Sequence, residues 1–183
     1  MRFPYVLMQC CLLAGTFVLT TSSAAQSPSD AQVQDKFVGA WQLVSIETVK
    51  ANGDVIYPFY GKHPQGLIVY AKNGWMSVQI VSDPAPTVPT ADSREDFKAA
   101  PDKEKVAAAE GYYAYYGTWS VDPTKSTVTH HIKQSLMPGE RGENGVRHFV
   151  FDGDRLILTA KTHEMGEEHE RRLVWQRATP DKP

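Results

Sequence analysis

Between Phe37 and Ala178 the chain breaks into short runs rich in Val, Ile, Tyr, Phe, Trp and Thr, and the breaks carry Gly, Asn, Asp or Pro. This punctuation restricts the possible folds more than any other feature. Runs of this length and composition read as strands, and the turn residues between them join sequence neighbours into antiparallel hairpins. Nine strands are expected, over about 37–49, 54–59, 66–71, 75–81, 112–121, 126–133, 146–152, 155–161 and 169–177. A run of hairpins in one domain closes most economically into an up-and-down barrel, because closure removes the unpaired edges of an open sheet.

Turn chemistry sets the register, and register sets which side chains face inward. In "AKNGW" a three-residue loop with Gly74 in the left-handed position pairs Ile68 and Tyr70 with Met76, Val78 and Ile80. "VDPTKST" places Pro123 where its fixed φ favours a turn, and "FDGDR" offers Asp152-Gly153 as a tight hairpin. A two-residue turn there puts Arg147, Phe149 and Phe151 on one face with Leu156, Leu158 and Ala160. That face is the apolar one, so Arg147 is carried inward. The same alternation groups Tyr113, Tyr115, Gly117, Trp119 and Val121, points His130 inward and His131 outward, and turns Leu173 and Trp175 into the core in a row with Arg171 and Arg177.

One excursion interrupts the hairpins. After Pro84, Pro86 and Pro89 comes a run in which Asp92 or Ser93 can cap one short helix and Asp102 a second, through Glu110. A structureless loop of that length would be unusual, so a short helical insertion between the fourth and fifth strands is expected. It could lie across an open end as a lid or decorate the surface.

The 183-residue chain has room for one domain with a substantial core. Residues 1–25 read as an export signal: Arg2, an apolar run from Val6 to Leu19, and small residues before a cut after Ala25. The apolar run is short for a membrane span, and no stable membrane insertion is expected. Residues 26–36 are small and polar and read as a flexible leader or a poorly formed helical turn, the barrel domain as 37–178, and 179–183 as a tail. Both cysteines, Cys10 and Cys11, fall in the signal, so the mature domain is left without disulfides, thiol catalysis or cysteine metal ligands. Removing the signal lowers Lys plus Arg from 19 to 18 against 21 acidic residues, a net charge near −3. Without basic runs, that balance argues against nucleic acid or an anionic membrane as partner. With no anchor in view, the periplasm or the medium is the expected destination.

The two ends of the domain meet if Trp41 and Leu43 face inward and the barrel closes. Arg177 would then lie over the Trp41 indole, with Gly39 allowing close approach. Alternatively Trp41 is an ordinary core aromatic and Arg177 a surface charge. The Gly39-x-Trp41 start with a late Arg177 resembles the calycin pattern. The segments "FVGAWQLVSIE", "YPFYGKHPQGLIVYAKNGWMSVQI", "EGYYAYYGTWSVD", "TVTHHIKQSLMPG", "VRHFVFDGDRLILT" and "RLVWQRA" together resemble the bacterial and fungal lipocalin-like domain family. The resemblance implies an all-β lipocalin-like barrel of eight to nine strands. Its members' functions vary, so it does not decide between carrier and enzyme.

The inward polar groups are Tyr70, Tyr115, His130 and Arg147, set among Met76, Trp119 and Phe149. These seven are the candidate ligand-binding residues. A buried guanidinium needs a partner, and no acidic residue falls on the assigned inward faces. Arg147 therefore points to a ligand, to water, or, if the register is wrong, to solvent. The expected partner is a small, largely hydrophobic molecule whose polar group, if it has one, is a carboxylate or carbonyl. His130 is either a hydrogen-bonded core histidine or, in a rival reading, the acid–base group of an isomerase, cyclase or hydratase whose oxyanion Arg147 stabilises. A third reading is an interaction module whose lumen is filled by side chains. His130 and His131 face opposite ways and cannot chelate one ion. His163 and His169 beside Glu164, Glu167 and Glu168 offer adventitious binding at most, so no metal site and no cofactor is expected.

Overall fold

The computed structural model describes residues 30–57, 59–87, 92–164 and 166–179. The expected export signal, its cleavage point and the residues after Thr179 lie outside them. The described chain begins with helix α1 (Asp30–Phe37), then strands β1 (Gly39–Val49), β2 (Val55–Ile56), β3 (Gln65–Tyr70) and β4 (Trp75–Val81). Helices α2 (Arg94–Ala99) and α3 (Asp102–Glu110) follow, then β5 (Tyr112–Asp122) and β6 (Thr127–Ser135). A 3₁₀ turn over Pro138–Glu140 leads into β7 (Asn144–Asp152), β8 (Arg155–Glu164) and β9 (Glu167–Arg177).

Every strand pairs antiparallel with its neighbour in the order β1-β3-β4-β5-β6-β7-β8-β9, and β9 returns to β1, with Trp41 opposite Arg177 and Val49 opposite Glu170. Eight strands thus close a barrel, and β2 is an extra strand on the edge of β1. The strand expected over 54–59 shrinks to two residues paired with Thr48 and Val49.

The register follows from the turns. Tyr70 pairs with Met76, leaving Lys72, Asn73 and Gly74 as the loop, and Gly74 has φ 86°, a conformation costly for a residue with a Cβ. Asp152 pairs with Arg155, so the tight turn is Gly153-Asp154, one residue later than expected, while Phe151 still faces Leu156. Two bulges switch the inward phase. On β1 the extra residue is Val44, so burial passes from Trp41 and Leu43 to Ile46 and Thr48. On β6 the extra residue is Lys133, and the inward row runs Val128, His130, Ile132, Ser135.

Residues 30–37 form a helix, the helical rather than the flexible reading of this stretch, and the first strand starts at Gly39 instead of Phe37. The reason lies in packing. Phe37 is fully buried and inserts among aromatic rings of the closed end, with centroids 5.3 Å from Tyr70, 5.7 Å from Trp119, 5.0 Å from Phe149 and 4.9 Å from Phe151. Val33, one helical turn earlier, is buried beside it. The Trp41 indole N–H donates to the Phe37 carbonyl over 2.8 Å, which satisfies a carbonyl at the helix end.

The insertion is helical. Ser93 caps α2, accepting from the Asp96 N–H, while α3 starts after Pro101 with Asp102 as its first residue, not its cap. Neither helix buries a side chain of its own. Among the described residues, no helix is long and apolar enough to cross a membrane.

Candidate functional site

The interior is divided. Along β9 the inward side chains step from Arg177 and Trp175 at the closed end through Leu173 to Arg171, and only the upper part is hollow. The lower part is filled by the α1 plug and the aromatic layer around it. The upper part holds a cavity of about 330 Å³ that opens at the end away from α1. Its walls are mainly apolar: Ile46, Ile68, Val78, Ile80, Leu158, Leu173 and Trp175. Tyr113, Tyr115, His130, Glu140, Arg147 and Arg171 supply the polar groups, and Phe59, Tyr60 and Met137 edge the mouth.

Of the seven candidate ligand residues, Tyr115, His130 and Arg147 line this cavity. Tyr70, Met76, Trp119 and Phe149 are not among its lining residues. They face inward, and Tyr70, Trp119 and Phe149 pack on Phe37 in the filled part. Trp119 is further occupied by donating its indole N–H to Ala71 O over 3.2 Å.

At the boundary between the filled and hollow halves, His130 sits between two phenols. Its Nε2 is 2.7 Å from the Tyr70 hydroxyl and its Nδ1 2.7 Å from the Tyr115 hydroxyl. Burial pushes its pKa well below the ordinary histidine value, and the charge of Arg147 pushes the same way. The imidazole is therefore neutral. Burial likewise raises both phenol pKa values, well above the usual range for Tyr70, so both remain protonated. No ring nitrogen of His130 is left to meet a substrate directly.

Arg147 comes inward on β7 opposite Val128. It makes no hydrogen bond or ion pair with another described residue, although it faces a cavity walled mainly by apolar groups. Glu140 adds an acidic group to the cavity lining from outside the inward strand faces assigned from sequence. This residue belongs to the 3₁₀ turn between β6 and β7, outside any alternation pattern. Its carboxylate accepts from the Tyr113 and Ser135 hydroxyls, each over 2.7 Å. Burial first, and the bond to Glu140 second, push the Tyr113 pKa far up.

The mouth is built by residues the strand reading leaves out. Tyr60, at φ 59°, takes a left-handed backbone unusual for an aromatic, and its carbonyl accepts from the Asp83 N–H over 2.8 Å. The Arg171 guanidinium lies over the Phe59 ring, 4.3 Å from the centroid. Tyr113 and Arg171 were legible, since both stand on inward rows of their strands. Phe59, Tyr60, Met137 and Glu140 sit in connections and carry no periodic signal. The cavity lining includes nothing from α2 or α3, so the lid reading of the insertion has no support in the described residues.

At the closed end Arg177 lies over Trp41, 3.7 Å from the ring centroid, and donates to the carbonyls of Val38 over 2.8 Å and Lys36 over 2.6 Å. Gly39, at φ 124°, leaves the space: a Cβ there would come within 3.0 Å of Arg177 Nη1. Elsewhere His169 is buried, and Glu168 pairs with Lys161.

The eight-stranded up-and-down barrel is plugged at one end and leaves a cavity of small-molecule size at the other. The lipocalin-like domain family matches residues 38–178, and the chain belongs to it. No curated protein matches the sequence. The lipocalin-like fold suggests that the cavity binds a small hydrophobic ligand.

Proposed function

We propose that this chain is an exported carrier that holds a small, largely hydrophobic molecule in the upper half of the barrel, with a carboxylate or carbonyl end against Arg147 and Tyr115. One observation carries the proposal. Arg147 faces a mainly apolar cavity and has no hydrogen-bonded or ionic partner among the described residues. Arg147 is partly exposed, and a ligand that covers it displaces water from its donors, a cost that an acceptor-bearing end offsets by charge-assisted bonds. Turnover is not part of the proposal, because both ring nitrogens of His130 are already engaged by tyrosines.

The test uses two dyes of similar body, anionic 1-anilinonaphthalene-8-sulfonate and neutral N-phenyl-1-naphthylamine, titrated by fluorescence. The wild-type protein binds both. Arg147→Ala weakens the anionic dye by about tenfold, the size of one charge-assisted contact, and leaves the neutral dye and the unfolding midpoint nearly unchanged. Unchanged binding of both dyes with lost stability would assign Arg147 a structural role instead. Native mass spectrometry of protein purified from its own host identifies the cargo. N-terminal sequencing of the same sample tests export, with Gln26 as the expected first residue.

A further inference from the structure

We infer that Tyr70 and His130 are positioning residues which make the Tyr115 hydroxyl a fixed hydrogen-bond donor into the cavity, so that Tyr115 and Arg147 together select a carboxylate over an alcohol or amine of the same body. The inference rests on the cavity being the ligand site and narrows the chemistry it takes.

A neutral imidazole has one N–H and one lone pair, so of the two phenols bonded to His130 one donates and the other accepts. Geometry decides which. Tyr70 is fully buried in the aromatic layer, 5.3 Å from the Phe37 ring and 4.9 Å from that of Trp119. Among the described residues its hydroxyl bonds only to His130. If Tyr70 accepted, its own proton would be buried with no acceptor, and an orphaned donor costs more than an unused lone pair. Tyr70 therefore donates to Nε2, the imidazole proton sits on Nδ1, and Nδ1–H donates to the Tyr115 oxygen over 2.7 Å.

The Tyr115 proton then has no place at His130 and turns to the cavity that Tyr115 lines. Arg147, on the same cavity, also only donates. Glu140 lines the same cavity, where its Oε2 accepts from Tyr113 and Ser135, and its one negative charge stands against the two guanidinium groups of Arg147 and Arg171. Two donors converging on one space fit a group with two acceptor oxygens. An amine would meet a guanidinium, and an alcohol would bring neither the negative charge nor the second oxygen. Burial keeps His130 uncharged, Arg147 and then His131 act in the same direction, and its hydrogen-bond partners Tyr70 and Tyr115 are neutral phenols.

The first measurement is the tautomer of His130, read from long-range proton–nitrogen correlations in protein labelled with ¹⁵N-histidine. A protonated Nδ1 with a bare Nε2 is expected. A protonated Nε2, or an imidazolium near neutral pH, overturns the inference. The second is competition against bound N-phenyl-1-naphthylamine by 1-naphthoate, 1-naphthalenemethanol and 1-naphthylmethylamine. Naphthoate should displace the dye at a concentration about tenfold lower than either of the others. Tyr115→Phe removes the donor that faces the cavity, so the preference should fall to about twofold. An unchanged preference in Tyr115→Phe, or none in the wild type, overturns the selection. If the wild type binds no dye at all, the carrier reading fails, while the tautomer result still decides the relay.

Discussion

The guanidinium carbon of Arg177 lies 3.7 Å from the centroid of the Trp41 indole, joining the last barrel strand to the first. The same side chain bonds two carbonyls at the end of α1, those of Lys36 and Val38. Arg177→Ala removes the stacking and both bonds, with an expected loss of about 3 kcal/mol in urea unfolding. Arg177→Lys recovers little of it, because a point-like ammonium lacks the planar fork that serves the ring and two carbonyls together.

Gly39 is tied to the same contact. Its φ of 124° and the 3.0 Å approach of Arg177 Nη1 both oppose a side chain. Gly39→Ala is expected to cost about 1 to 3 kcal/mol, measured by the same unfolding curves. In an Arg177→Ala background the steric part of that cost should disappear, a non-additivity that a double-mutant cycle detects.

Phe37→Ala withdraws the plug. A fully buried phenylalanine in contact with four other rings should cost about 3 to 5 kcal/mol. The emptied space adjoins Tyr70 and Phe149, so a folded Phe37→Ala protein should accept longer apolar ligands than the wild type in dye displacement.

His130 makes stability depend on pH. Its folded-state pKa lies well below the ordinary histidine value of 6.5, so below that value the unfolded chain takes up a proton that the folded chain refuses. The stabilising contribution is complete above pH 6.5 and is lost as the pH falls, at about 1.4 kcal/mol per unit until the folded-state pKa is reached. Between pH 7.5 and 5.5 the wild type should lose about 1 kcal/mol more than His130→Gln, compared by urea unfolding at the two pH values.

Thr48 carries a hydroxyl that is buried and unbonded among the described residues. Thr48→Val keeps the shape, suits a strand and removes the desolvated oxygen. A rise of about 1 kcal/mol in unfolding free energy is expected.

What could be read from the residues, and what could not, divides along physical range. Strand alternation has a period of two and is set by local backbone geometry, so runs such as "YAYYGTW" and "TVTHHI" were enough to place Tyr115, Trp119 and His130 inside. Turn chemistry at Gly74 fixed a register, again over a few residues. The family resemblance drew on the same segments, and the match over residues 38–178 covers them.

Depth in the barrel is different in kind. Alternation states which face a side chain is on, not how far along the lumen it stands or what occupies the space before it. Tyr70, Trp119 and Phe149 face inward yet pack on Phe37, which the strand reading takes as the first residue of the first strand. The bulges at Val44 and Lys133 shift the phase of β1 and β6 without any turn residue to announce them. Glu140 and Tyr60 reach the mouth from irregular connections, where no period exists to read.

By itself, then, the sequence determined the strand order, the turns that pair neighbours, the inward faces and the set of polar groups those faces carry, because each follows from interactions between residues close along the chain. Only the tertiary structure decided that half the lumen is plugged, that His130 is clasped between Tyr70 and Tyr115, and that Arg147 is left facing the hollow. Those outcomes depend on which distant side chains compete for the same enclosed volume, and that competition exists only once the barrel has closed.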